Sequence, residues 1–215
     1  RGVNGELWII CIGALVAVSC AIVGTFLVLR KMSMLGDAIS HSVLFGIVVA
    51  FLITGTRSPL AMFGGAALVG VLTAYLSSVL HHHAKLQEDA SIGVTFTWLF
   101  ALGVILVSLF AGQVDLDQEC VLYGEIAFAP LDTVAIYGRE LGPRSFWILL
   151  TVTLLNLVFL LIGYRSLKVM SFDPLLAATL GIPVVIWHYA LMIMVSLTTV
   201  ASFDAVGAIL VVAML

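Results

Sequence analysis

The residue pattern predicts an all-α architecture, a polytopic bundle of transmembrane helices, on three observations. Of the 215 residues, 62% are hydrophobic and 10% charged, whereas a soluble domain averages about half and about a quarter. The mean hydropathy of +1.22 is too high for the interior of a 23.0 kDa globule to absorb. The apolar residues also fall in runs of about 20, long enough to cross a hydrocarbon core. They do not alternate over about ten residues, as barrel strands do.

The same figures exclude other classes. Nine basic against twelve acidic residues leave a net charge of −3, so no basic field points to nucleic acid. Three cysteines, Cys11, Cys20 and Cys120, are odd in number and widely spaced, which suits neither a disulfide scaffold nor a structural zinc site. Residues 7–29 are too long for the apolar core of a cleavable signal, and no A-x-A site follows.

The runs, in order, are Leu7–Leu29, Ala38–Ile53, Pro59–Leu80, Ser91–Ala111, Phe146–Tyr164 and Pro183–Phe203. A seventh starts at Ala205 and is still apolar at Leu215, so the natural protein is expected to continue. Residues 1–215 thus read as one transmembrane domain, incomplete at its C-terminal side. Basic residues set the orientation. Arg30, Lys31, Lys85, Arg165 and Lys168 lie in the odd loops, and Arg57, Arg139 and Arg144 in the even ones. The odd loops are therefore expected to be cytoplasmic. Small residues one turn apart (Gly13, Ala17 and Ala21; Ala66, Gly70 and Ala74; Gly93, Thr97 and Ala101) indicate close helix packing.

Arg30–Gly46 is the most informative segment. Asp37 and His41 fall on one helix face, one turn apart, with Ser33 and Ser40 near the same side. Ionisable groups at membrane depth are functional candidates by default. A carboxylate oxygen with an imidazole nitrogen suits a divalent transition ion. Two ligands hold it weakly enough for release. The plainer alternative is an interfacial first turn, with Asp37 complementing the helix dipole and His41 its structural partner.

Ser171–Pro183 predicts a short capped helix: Asp173 as N-cap, Pro174 at the first position, Gly181 beyond the end, and Pro183 stopping continuation. Leu175, Leu176 and Leu180 give it an apolar face. That face suits either the bilayer surface or a cytoplasmic protein. His81, His82 and His83 read as a solvated loop, with weak metal contact on exit as the alternative. Residues 112–145 form an outer loop in which Asp115, Asp117, Glu119 and Glu125 suit a cation-concentrating gate or funnel; a plain solvated loop fits as well. Its stretch VDLDQECVLYGEIAF is amphipathic and too short to span, which suits a re-entrant or surface helix.

No H-E-x-x-H, G-x-S-x-G or P-loop occurs, so any ATP hydrolysis is expected on another chain.

The segment MSMLGDAISHSVLFG resembles the signature after the first span of permeases in the zinc, manganese and iron class of bacterial ABC importers, which reads close to LLGDALSHAVLPG. QEDASIGVTFTWLFALGVILVS, SFDPLLAATLGIP and VASFDAVGAILVVAML match in order, so the resemblance covers nearly the whole chain. It implies a permease subunit, not an enzyme, importing Mn²⁺, Zn²⁺ or Fe²⁺ across the bacterial plasma (inner) membrane, with no permanently bound cofactor. The expected partners are a second permease copy or paralogue, two cytoplasmic ATPase subunits that carry the ATP, and an extracytoplasmic metal-binding protein. Asp37 and His41 match the acid and the histidine proposed to contact the metal. Residues 171–182, with Asp173, Pro174, Leu175, Leu176, Leu180 and Gly181, match the coupling helix that docks into the ATPase. Such permeases have about eight spans. Phe45 stands where the family has proline, so a straighter helix is expected after His41. A proton-coupled secondary metal transporter, with Asp37 and His41 as a relay, is the alternative.

Overall fold

The computed structural model describes residues 2–55, 59–110, 133–136, 139–207, 211 and 213–215. In chain order these form α1 (Gly2–Leu29), α2 (Met34–Thr54), α3 (Pro59–Ala84), α4 (Glu88–Phe110), β1 (Thr133–Ile136), β2 (Arg139–Pro143), α5 (Arg144–Phe172), α6 (Pro174–Thr179) and α7 (Val184–Val206). Six of the helices, all but α6, are long and apolar enough to cross a membrane. Their outer faces are as apolar as their inner ones: Leu68, Ile162 and Leu161 are largely exposed. Lipid-facing helices tolerate this because the surrounding solvent is itself apolar.

Helix α7 packs against α1, α2, α3 and α5 and so forms the middle of the bundle. α2 lies against α3, α4 and α7. One apolar cluster, including Leu27, Leu35, Ile39, Leu167 and Val195, joins α1, α2, α5 and α7. A second, with Ile12, Val16, Leu149 and Ala201, ties α1 and α5 to α7. Hydroxyls and one amide add cross-links: Thr73 donates to Ser42 at 2.7 Å, Asn156 donates to Thr198 at 2.8 Å, and Ser19 and Thr153 pair at 2.6 Å. In lipid no water competes for these groups, so the hydroxyls named here bond between helices or to the carbonyl one turn back, while the Asn156 Oδ1 is buried without a partner.

Glycine sets the closest helix approach. A Cβ added at Gly46 would lie 2.5 Å from the Gly65 carbonyl oxygen and 2.9 Å from the Ala66 Cα. α2 and α3 therefore touch backbone to backbone. Of the three small-residue stripes, the one on α3 is packed: Ala66 and Ala74 are buried, and Gly70 abuts Ser196 and Ile39. The stripes on α1 and α4 face outward, with Ala17, Ala21, Thr97 and Ala101 exposed. Spacing marks a permissive stripe but not which neighbour occupies it.

Several boundaries differ from the sequence expectation. α5 runs eight residues past Tyr164 to Phe172, because Leu167 and Met170 continue its buried face while Arg165 and Lys168 point out. His81–His83 form the last turn of α3 rather than a loop. His82 and His83 each bond the carbonyl one turn back, at Ser78 and Val79. Such bonds occupy helix-end carbonyls, which favours histidine there. Ala205 and Val206 complete α7 instead of opening a new span. The helix ends at Gly207 (φ 83°), so six spans, not seven, are seen among the described residues. The antiparallel β1–β2 ribbon, bulged between Thr133 and Ala135, is absent from the residue reading. α2 continues unbroken through Phe45. There it meets Gly103 of α4, where a Cβ would lie 3.0 Å from the Phe45 nitrogen.

Candidate metal site and docking helix

Asp37 and His41 stand in the first two turns of α2, following the basic Arg30–Lys31 turn. An acid in the first turn complements the helix dipole. The His41 Nε2 lies 3.4 Å from the Asp37 Oδ1, with the side chains 37% and 36% exposed. That exposure leaves the facing atoms reachable. The separation is longer than a good N–H···O bond. It equals the edge of a coordination tetrahedron: an ion about 2.1 Å from both atoms would subtend an angle of about 108°. Among the described residues no group of three or more His, Cys, Asp or Glu side chains converges. A single chain therefore offers two protein ligands here, a donor set compatible with passage rather than storage.

Ser40 does not join the pair. It is buried, and its hydroxyl donates to the Asp37 carbonyl oxygen at 2.6 Å. α4 supplies the neighbours that spacing on α2 does not reveal. Phe96 stacks on the His41 ring at 5.8 Å and 27°, and Phe100 meets it edge-on at 5.9 Å. Two aromatics one turn apart thus restrict the imidazole.

The short helix forms as its caps dictate. The Asp173 carboxylate accepts from the Leu175 and Leu176 amides, both at 3.0 Å, with Pro174 at the first position. At the other end Gly181 is left-handed (φ 79°), and the Ile182 amide bonds back to Ala177 at 3.0 Å. Ala177 is buried against the bundle, while Leu175, Leu176 and Leu180 are 81%, 50% and 63% exposed. One face is thus anchored and a rigid apolar face is presented. Asp115, Asp117, Glu119 and Glu125, with the VDLDQECVLYGEIAF segment, lie outside the described residues.

A cavity of about 440 Å³ opens at the basic end of the bundle, lined by Arg30, His81–His83, Glu88 and His188 among others. Burial pushes the Arg30 guanidinium below its usual range, partly opposed by the Glu88 carboxylate. His188 lies inside the run Pro183–Phe203, whose overall apolarity conceals it. An ionisable residue within a span was the available signal.

Residues 6–215 match the ABC 3 transport family. The chain belongs to that family. It is 57% identical over 210 residues to the manganese transport system membrane protein MntD of Bacillus subtilis, covering 98% of this chain and 71% of the relative. It is 42% identical over 207 residues to the zinc transport system membrane protein TroD of Treponema pallidum, covering 96% of this chain and 56% of the relative. The solved structure of PsaBC from Streptococcus pneumoniae in complex with Fab aligns with a TM-score of 0.74 at 31% identity, covering 98% of this chain and 69% of that one. The chain thus spans between about half and three quarters of these proteins. As an ABC 3 transport chain with six apolar spans, it is a multi-pass protein of the bacterial plasma membrane and a transport subunit rather than an enzyme.

Proposed function

We propose that this chain is the permease subunit of an ATP-driven importer of a divalent transition metal. The observation that carries the reading is the Asp37–His41 pair, 3.4 Å apart and reachable, in a chain of the ABC 3 transport family. Relatives named for manganese and zinc support those two ions as cargo. The oxygen–nitrogen donor set admits Fe²⁺ by the same chemistry.

In this reading an extracytoplasmic metal-binding protein delivers the ion, and Asp115, Asp117, Glu119 and Glu125 draw it towards the path. Asp37 and His41 replace part of its hydration shell, then release it because two ligands bind weakly. A second permease, a copy or a paralogue, completes the path. Two ATPase subunits bind and hydrolyse ATP on the cytoplasmic side. They engage residues 171–182 through Leu175, Leu176 and Leu180, so their movement reaches α5 and α7.

Manganese and zinc uptake by cells carrying Asp37→Ala or His41→Ala, at matched membrane expression, tests the assignment. Loss of uptake with an intact assembly is expected. Wild-type rates in both variants would remove the pair from the path.

A further inference from the structure

The cavity at the basic end is not lined by Asp37 or His41, and Pro174 is the one lining residue it shares with the docking segment 171–182. Its walls come from the α1–α2 turn, the last turns of α3, the start of α4, Pro174 and the start of α7. Arg30 is its permanent cation. The Arg30 Nη1 is buried with no hydrogen-bond partner. Among the described residues no arginine or lysine nitrogen lies within salt-bridge distance of a carboxylate, so Glu88, though it lines the same space, does not pair with Arg30. A guanidinium stays charged and carries five donors and no acceptor, so burial without a partner is costly. Around it stand His81, His82 and His188, the last with both ring nitrogens buried and unpartnered. Much of the remaining lining is apolar: Met32, Ile92, Val184, Val185 and Met192.

These features select a ligand. A divalent cation would face Arg30, and no three His, Cys, Asp or Glu side chains converge among the described residues. An anion with planar or tetrahedral oxygens matches a guanidinium beside imidazoles. The apolar wall, in a gap between span ends, suits an attached acyl chain. Basic pockets between transmembrane helices bind anionic head groups for these reasons. We propose that this cavity is a phosphate-binding site, with Arg30 as its anchor, occupied by the head group of an anionic phospholipid. Because Pro174 forms part of the wall, a bound lipid also braces the junction that carries α6.

The full-length permease in nanodiscs tests this. Phosphatidylglycerol discs are expected to raise the melting temperature over phosphatidylcholine discs, and native mass spectrometry to show retained phosphatidylglycerol. Arg30→Gln should weaken that retention about tenfold or more, as for loss of a hydrogen bond to a charged group. Arg30→Lys should restore part of it, and Lys31→Gln, the exposed neighbour, should leave it nearly unchanged. Should Arg30→Gln fail to fold, Val185→Trp at the exposed mouth should displace the lipid with Arg30 in place. Inorganic phosphate added to phosphatidylcholine discs separates the sources. Equal stabilisation by phosphate, lost in Arg30→Gln, keeps the site and overturns the lipid. Retention unchanged in both Arg30→Gln and Val185→Trp overturns the site. So does stabilisation by Mn²⁺ alone that survives Arg30→Gln and is lost in His188→Leu.

Discussion

His41 on α2 and Phe96 on α4 stack with their ring centroids 5.8 Å apart and their planes 27° from parallel. The side chain proposed to meet the ion is thus oriented by a helix that supplies no ligand. Phe100 closes the imidazole from the edge. The Asp37 carboxylate lies 3.4 Å from the His41 Nε2.

Replacing Phe96 with leucine keeps the apolar volume and removes the stack. Metal uptake is expected to fall severalfold with membrane expression unchanged, since aromatic pairs contribute about 0.5–1.5 kcal/mol. Initial uptake rates across a metal concentration series check this. Rates equal to wild type would show that α4 does not position His41.

Asp173→Ala removes the carboxylate that accepts two amides of α6. The loss of an N-cap costs about 1 kcal/mol, concentrated in a helix of six residues. Amide exchange across residues 174–179 should accelerate while the spans remain protected. Asp173→Asn, which keeps an acceptor oxygen, should restore most of the protection.

Leu175 is 81% exposed on α6, so Leu175→Asp disturbs little within the chain. The expected outcome is normal insertion and thermal stability but loss of a co-purified ATPase subunit. Retention of the ATPase at wild-type stoichiometry would contradict the docking role of α6.

Asn156 lies fully buried on α5 and donates to Thr198 on α7. Interhelical hydrogen bonds in membranes contribute about 0.6 kcal/mol on average and up to about 1.7. Asn156→Ala and Thr198→Val should each destabilise by about that amount. The double variant should lose less than the sum, because the singles remove one bond between them. Steric-trap or thermal unfolding in detergent supplies the four values.

Gly46→Val should be strongly damaging, since the added carbons meet the α3 backbone rather than a movable side chain. A loss of about 3 kcal/mol or more is expected from overpacking a backbone contact. Gly13→Ala, where a Cβ meets nothing within 4 Å, serves as the matched control. Equal expression and melting of the two variants would refute the close approach of α2 and α3.

Runs of apolar residues were enough to place all six spans, because crossing lipid requires length and continuous apolarity, both properties of a linear string. The caps of α6 were legible for a similar reason: Asp173, Pro174 and Gly181 act on their own backbone within a few residues. The Asp37–His41 face was legible because helical periodicity alone sets which neighbours meet. Tertiary contact decided everything that depends on a distant partner. Phe96 and Phe100 beside His41, Arg30 with His188 around one cavity, and the choice of the Ala66–Gly70–Ala74 stripe over its two equivalents all arise between helices. In an apolar solvent every helix face looks alike to a hydropathy count. Which face turns inward is set by packing, small-residue approach and buried hydrogen bonds, and those exist only once the helices have met.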